Sequence, residues 1–396
     1  MSEWQTFYLK DLGKIVGGTT PSTNNPKNYD NKIAWITPKD LSTLQGRYIK
    51  KGSRSISRLG FKSCSCVLLP KHAILFSSRA PIGYVAIAKK RLCTNQGFKS
   101  IIPNKKIYFE FLYYLLKYHK DNISNIGGGT TFKEVSGATL GLFKVKIPPT
   151  YYEQQKIART LSILDQKIEN NHKINELLHK ILELLYEQYF VRFDFLDENN
   201  KPYQTSGGKM KFSKELNRLI PSGWSVRFLN HKIVSTYQPK TISKTLLNDS
   251  YSYSVYGGGG IIGRFTEYNH EQSEFIISCR GQCGISYLTL PKSWITGNAM
   301  VIRPTKSYTS KTYLYHTIKK YKLTNYITGS VQPQITRQNL STIPILIPKR
   351  KTLNKWNNIS SLLWNLIHNN MQETQTLTAL RDFLLPLLLT QQVKPQ

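Results

Sequence analysis

Three groups of residues in this 396-residue chain have types and spacing that could do chemistry. The stretch YGGGGIIGRF, Tyr256 to Phe265, holds Gly258, Gly260 and Gly263 in a G-x-G-x-x-G spacing. That spacing cradles a pyrophosphate when it follows a buried strand, opens a helix and has an acidic residue about 20 residues on. Here Arg264-Phe-Thr-Glu-Tyr-Asn-His follows, with no 3.6-residue apolar period. A turn between two strands is therefore expected, where glycine lets the backbone approach a ligand closely. Cys64-x-Cys66 with His72 offers a partial metal set, but structural zinc takes four ligands and no second Cys/His pair follows, so no metal is expected. The five cysteines are expected as free thiols, since their number is odd and the N-terminus reads as no secretory signal. Asp165-Gln-Lys167 has the acidic-x-Lys form of a metal-dependent nuclease, but lies inside a helical stretch with no preceding Pro-Asp. An Asn-Pro-Pro-aromatic base-holding motif, a Walker loop and a nucleophile elbow are likewise missing, so a non-catalytic chain is expected.

Charge points instead to a polyanion. Lys and Arg number 55 against 23 Asp and Glu, a net charge of +32, and 24 Tyr and 6 Trp accompany them. Residues 1–150 carry +17 and residues 201–350 carry +16, whereas 151–200 carry −3 and 351–396 carry +2. Two separate basic bodies are the better description, and two bodies imply two contacts with one nucleic acid. No run of about 18 apolar residues occurs, so a cytoplasmic protein without membrane contact is expected.

The two basic blocks are related in sequence. WQTFYLKDLGKIV from Trp4 corresponds to WSVRFLNHKIV from Trp224, each read as an apolar strand entering a domain. LFSSRAPIGYVAI (75–87) matches IISCRGQCGISYL (276–288), pairing Arg79 with Arg280 and Gly83 with Gly284. GTTFKEVSGATLGLFKVKIP (129–148) aligns without gaps to GSVQPQITRQNLSTIPILIP (329–348). Short β-type runs broken by Gly, Pro and Asn, with one helix per block at Tyr108–Lys120 and Lys311–Lys320, predict an α/β (α+β) fold.

Each block is followed by a long helix. Glu153 to Phe190 lacks Pro and Gly, which predicts a helix of about 57 Å. Its seam steps by 3 and 4 through Ile157, Leu161, Leu164, Ile168, Asn171, Asn175, Leu178 and Leu182. The second seam runs through Trp356, Ile359, Leu363, Leu366, Asn370, Glu373, Leu377 and Leu380, and an offset of 195 places Asn175 in phase with Asn370. Two antiparallel coiled-coil helices separating two pseudo-symmetric domains are expected. A further stripe at Ile174, Leu177, Ile181 and Leu184 exceeds what a two-helix seam needs; it would pack on the attached domains or dock another protein.

Taken in order, SSRAPIGYVAI, TNQGF (94–98), IPPTYYEQQKIARTL, YQPKTIS (237–243), SWITGNAM (293–300), ITGSVQPQITRQNL (327–340) and the linker VRFDFLDENNKPYQTSGGKM into LIPSGWSV resemble the specificity subunit of type I restriction-modification systems over nearly the whole chain. The second spacer departs from the family at IPKRKTLNKW, where a Pro-Pro and a Glu-Gln pair are usual. The resemblance implies target recognition domains at 1–150 and 223–350, spacer helices at 151–192 and 351–390, and a linker at 193–222. It also implies two modification (methyltransferase) subunits, and restriction (endonuclease/translocase) subunits added to them. S-adenosylmethionine, and ATP and Mg for restriction, would sit on those partners, with no cofactor on this chain. A stand-alone DNA-binding protein is the alternative.

Side chains whose donors and acceptors match base edges would read double-stranded DNA, with Lys and Arg on phosphates. In the first domain Lys39, Arg47, Arg54, Arg58, Arg79, Gln96 and Lys133 are the expected contacts. In the second they are Arg264, Arg280, Gln332, Gln334 and Arg337. The loops Thr131–Glu134 and Val331–Gln334 are equivalent in position and different in side chains, as two different half-sites require.

Overall fold

The computed structural model describes residues 3–129, 133–248, 251–330 and 332–395; Thr131 and Val331 lie outside them. The chain divides into two compact units, residues 1–173 with 371–396 and residues 174–370. Each unit thus takes a share of both long helices, Tyr151–Tyr186 and Arg350–Leu389.

In the first unit a five-stranded sheet runs in the order Gly13–Gly17, Lys99–Pro103, Ile74–Phe76, Val85–Ala88, Tyr48–Ile49. Ile74–Phe76 is central and wholly buried, which is why it reads as an unbroken apolar run. A three-stranded sheet sets Tyr29–Ile36 between Arg54–Ile56 and Cys93–Thr94. Gln5–Tyr8 pairs antiparallel with Lys144–Ile147. The alternation Lys-Val-Lys-Ile puts Val145 and Ile147 inside and the lysines outside. Phe76, Phe111, Tyr114, Ile157, Leu161 and Leu385 share one apolar core, so both helices are built into this unit.

The second unit repeats this plan. Ser225–Phe228 pairs with Pro344–Ile347, displaced by 200 residues from Lys144–Ile147. A four-stranded sheet runs Val234–Tyr237, Ala299–Pro304, Phe275–Ser278, Ser286–Leu288. A three-stranded sheet places Tyr253–Gly257 between Gly260–Phe265 and Trp294–Ile295. The helix Lys311–Lys319 packs its buried Tyr313 and His316 against Tyr186 and Trp356, rings from the two long helices.

Local differences from the sequence reading have physical causes. The expected single strand after Trp4 breaks at Tyr8 into a helical turn, Leu9–Leu12, where Asp11 caps the Tyr8 amide and both leucines are fully buried. Tyr108–Lys120 divides into Phe109–Tyr118 and Lys120–Asn125. The first long helix ends in a wider turn, Glu187–Val191, whose Arg192 amide donates to the Glu187 carbonyl. No helix among the described residues is long and apolar enough to cross a membrane.

Within each unit the helix segments run antiparallel. In the first, the Asn171 amide donates to Glu373 Oε2 at 2.9 Å and Arg381 pairs with Asp165 at 2.8 Å. In the second, Asn370 Nδ2 donates to Asn175 Oδ1 at 2.9 Å, while Asn175 Nδ2 donates to the Ile367 carbonyl at 3.3 Å. Ile157, Leu161, Ile168 and Leu182 are buried on the first helix, and Leu164 and Leu178 half-buried. The second seam needs correction: Ile359, Leu366 and Leu380 are exposed, while Leu363 and Leu377 are only half-buried. Trp356, where that seam begins, is buried, but from there the buried face runs through Ser360, Trp364 and Ile367, about one residue or 100° around. The indole of Trp364 packs edge-on against His179 and Tyr315 and tilted against His316, and that large ring decides which side of the helix turns inward.

Candidate nucleic-acid interface

The second unit brings three loops together around Arg280. Gly258 and Gly259 form the two-residue tip of a hairpin whose strands pair Gly257 with Gly260, so the glycine run opens no helix. A Cβ at Gly258 would lie 2.8 Å from the Arg280 carbonyl, and only glycine permits that approach. Arg280 bridges to Gln334, the Ile335 amide donates to the Cys279 carbonyl at 3.1 Å, and the Cys283 thiol reaches the Pro333 carbonyl at 3.2 Å. Arg280, Gln332, Gln334 and Arg337 are all exposed on these loops. Arg264 stands away from the hairpin tip and is half-buried; its Nη1 donates to the carbonyls of Tyr251 at 3.0 Å and Ser252 at 3.3 Å, bracing the incoming segment.

The first unit builds the same junction from the same main-chain bonds. The Ser78 amide donates to the Gly97 carbonyl at 2.8 Å, and the Val135 amide to the Ser78 carbonyl at 3.0 Å, so Arg79, Gln96 and Lys133 converge. Gln96 is exposed and accepts from the Thr20 hydroxyl; Lys133 is exposed beside Gly127. Pro38 packs against Gly97, which brings the exposed Lys39 to the edge of this group. Arg54 and Arg58 are exposed on the neighbouring sheet and its helix Arg58–Lys62, Arg54 lying over the Tyr29 ring at 5.4 Å.

Two side chains alter this picture. Arg47, expected on DNA, is 3 % exposed and pairs with Glu110 at 3.0 Å and Glu169 at 3.3 Å, with Asp165 at 3.9 Å. Burial opposes its charge, but the neighbouring Tyr114, Glu169, Glu110 and Asp165 outweigh that and raise its pKa. It ties the domain to its helix and has no surface to offer a phosphate. Glu134, absent from the expected contacts, takes Arg79 at 3.5 Å and Lys99 at 3.4 Å. Its gapless alignment with Gln334 was the signal that could have found it.

Cys66 and Cys93 are buried in one small apolar cluster with Cys64 against it, and all five thiols are free. No group of three or more ligating side chains suited to a metal occurs among the described residues.

The second unit also carries an apolar helical surface. Ile174, Leu177, Ile181 and Leu184 are 44–61 % exposed, and Ile359, Leu362 and Leu366 are 37–62 % exposed. Ile174, Leu177, Ile181 and Leu184 each precede a residue of the first seam by one, as Ile359 and Leu366 precede the inward-facing Ser360 and Ile367, and in an antiparallel pair such positions flank the same side of the seam. Exposed aliphatic side chains of both helices therefore flank one side of the pair within this unit.

Residues 1–180 and 221–379 match the type I restriction modification DNA specificity domain family. The chain is 32 % identical to the type I restriction enzyme MjaIX specificity subunit of Methanocaldococcus jannaschii, over 98 % of this chain and 92 % of that one. It is 30 % identical to the HindI specificity subunit of Haemophilus influenzae over 46 % of this chain and 40 % of that one. The crystal structure of the type I restriction-modification S subunit from M. genitalium superposes with a TM-score of 0.61 at 19 % identity, covering 98 % of this chain and 96 % of that one. With a duplicated fold, two matched basic junctions and matches spanning both halves, the chain belongs to the type I restriction-modification DNA specificity family.

Proposed function

We propose that this chain is the non-catalytic, sequence-reading subunit of a type I restriction-modification complex. Each recognition unit reads one half of an asymmetric bipartite site in double-stranded DNA, and the spacer helices at 151–192 and 351–390 set the gap. The observation that carries this reading is the repeated junction, in which one set of main-chain bonds presents Arg79, Gln96 and Lys133 in one unit and Arg280, Gln332 and Gln334 in the other. One frame holding different head groups is what unequal half-sites need. Methyl transfer and cleavage belong to partner subunits, which bind S-adenosylmethionine, ATP and Mg.

The apolar helical surface supports the partner reading. Exposed aliphatic surface on a helix pair marks a protein contact, and two modification subunits docking on the helices would cover it, with restriction subunits joining them. Replacing Leu177 and Leu366 together by Asp is expected to abolish co-purification of the modification subunit from the assembled complex while leaving the chain folded. Retention of that subunit, with loss on substituting Arg280 and Gln334 instead, would contradict the assignment.

A further inference from the structure

Positions 134 and 334 are the same place in two frames. The Glu134 and Gly128 backbones exchange bonds of 2.9 and 3.0 Å, and the Gln334 and Thr328 backbones exchange bonds of 2.8 and 2.9 Å. The following residue is held alike, Val135 to Ser78 and Ile335 to Cys279. The side chains have one shape but different hydrogen-bonding capacity: a carboxylate accepts only, whereas an amide both accepts and donates. Their neighbours differ as well. Glu134 lies between Arg79 at 3.5 Å and Lys99 at 3.4 Å, whereas the residue at the Lys99 position of the second unit is the buried Met300. Ser78 and Cys279 fix that equivalence by donating to Gly97 and Asn298 respectively.

A carboxylate on the basic loop of a DNA-binding domain weakens phosphate affinity, and the backbone bonds already hold the loop without it. Beside Arg79 it completes a set of adjacent donors and acceptors. The major-groove edge of a C·G pair offers the cytosine N4 amino group next to guanine O6 and N7. On the DNA-reading function proposed above, we infer that Glu134 and Arg79 together read one C·G pair of the first half-site. Glu134 accepts from cytosine N4, Arg79 donates to guanine O6 and N7, and Lys99 holds the second carboxylate oxygen in place. Gln334, at the same point of the second frame, reads an A·T pair through adenine N6 and N7.

Glu134→Gln and Gln334→Glu are isosteric swaps at exposed or half-exposed side chains. The test places each variant in the full complex, in a host lacking this specificity gene, and maps the methylated motif by methylation-aware sequencing, with complex yield measured alongside. For Glu134→Gln, discrimination at one C·G position of one half-site is expected to fall by about ten- to a hundred-fold, with the other half-site unchanged. Gln334→Glu is expected to lower discrimination at one A·T position of the second half-site by a similar factor, with the first half-site unchanged. An unaltered motif in both variants, or relaxation spread over both half-sites at normal complex yield, would overturn the assignment. If the parent chain itself yields no motif, the DNA-reading function fails, a result separate from either.

Discussion

Arg47 and Arg79 belong to one basic block and are indistinguishable by residue type, yet one is buried among three carboxylates and the other stands at the loop junction. Removing one member of a buried ion cluster leaves the rest uncompensated, so Arg47→Met is expected to cost about 3–5 kcal/mol of stability. Urea denaturation should register that loss in the unit holding Arg47, and an unchanged midpoint with an altered salt dependence of DNA binding would contradict it. Two of its three carboxylates, Asp165 and Glu169, come from the first long helix. No local pattern in the sequence around residue 47 could report them. The legible residues were those whose position was set by duplication: the pairing of Arg79 with Arg280 placed both at matching junctions, and the gapless alignment of 129–148 with 329–348 marked the loops that end in Glu134 and Gln334 as equivalent without singling out Glu134 as a contact.

At the scale of elements, helices and strands with strong apolar periods were readable, while the rotation of the second long helix was not. A 3,4 repeat of leucines defined a seam through Ile359, Leu366 and Leu380, but packing of the Trp364 ring turned Ser360 and Ile367 inward instead. That aromatic layer makes a pH-sensitive element of the second unit. His316 is 3 % exposed, and its pKa is pushed down to about 3 by burial, with Lys319, His179 and Lys320 adding to the effect. His368 is pushed down to about 4 by burial and by Lys311 and His179. Because these pKa values are lowered on folding, the unfolded chain takes the protons first. Stability is complete above about pH 6.5 and falls as pH drops toward the folded values, by about 1.4 kcal/mol per pH unit for each histidine. Urea midpoints between pH 7.5 and 4.5 should decline in the second unit, and His316→Phe should flatten that decline. Equal slopes in parent and variant would refute the role of His316.

For the whole molecule, the sequence carried the plan of two basic blocks, each ending in a long helix, because duplication leaves a signature that single motifs lack. The glycine run illustrates the difference: its spacing suggested a phosphate cradle, but its neighbours form a hairpin whose tip rests on Arg280. Base identity was beyond reach, since it depends on which head groups the loops present together and on the DNA they meet. On the proposed function, this chain alone selects an asymmetric, two-part DNA site for its complex. Methylation-aware sequencing of the host genome with and without the gene tests it most directly. Loss of one methylated motif with two unlike half-sites and a fixed gap is the predicted result. A lost motif that is continuous or has identical half-sites, or no change in methylation at all, would contradict it.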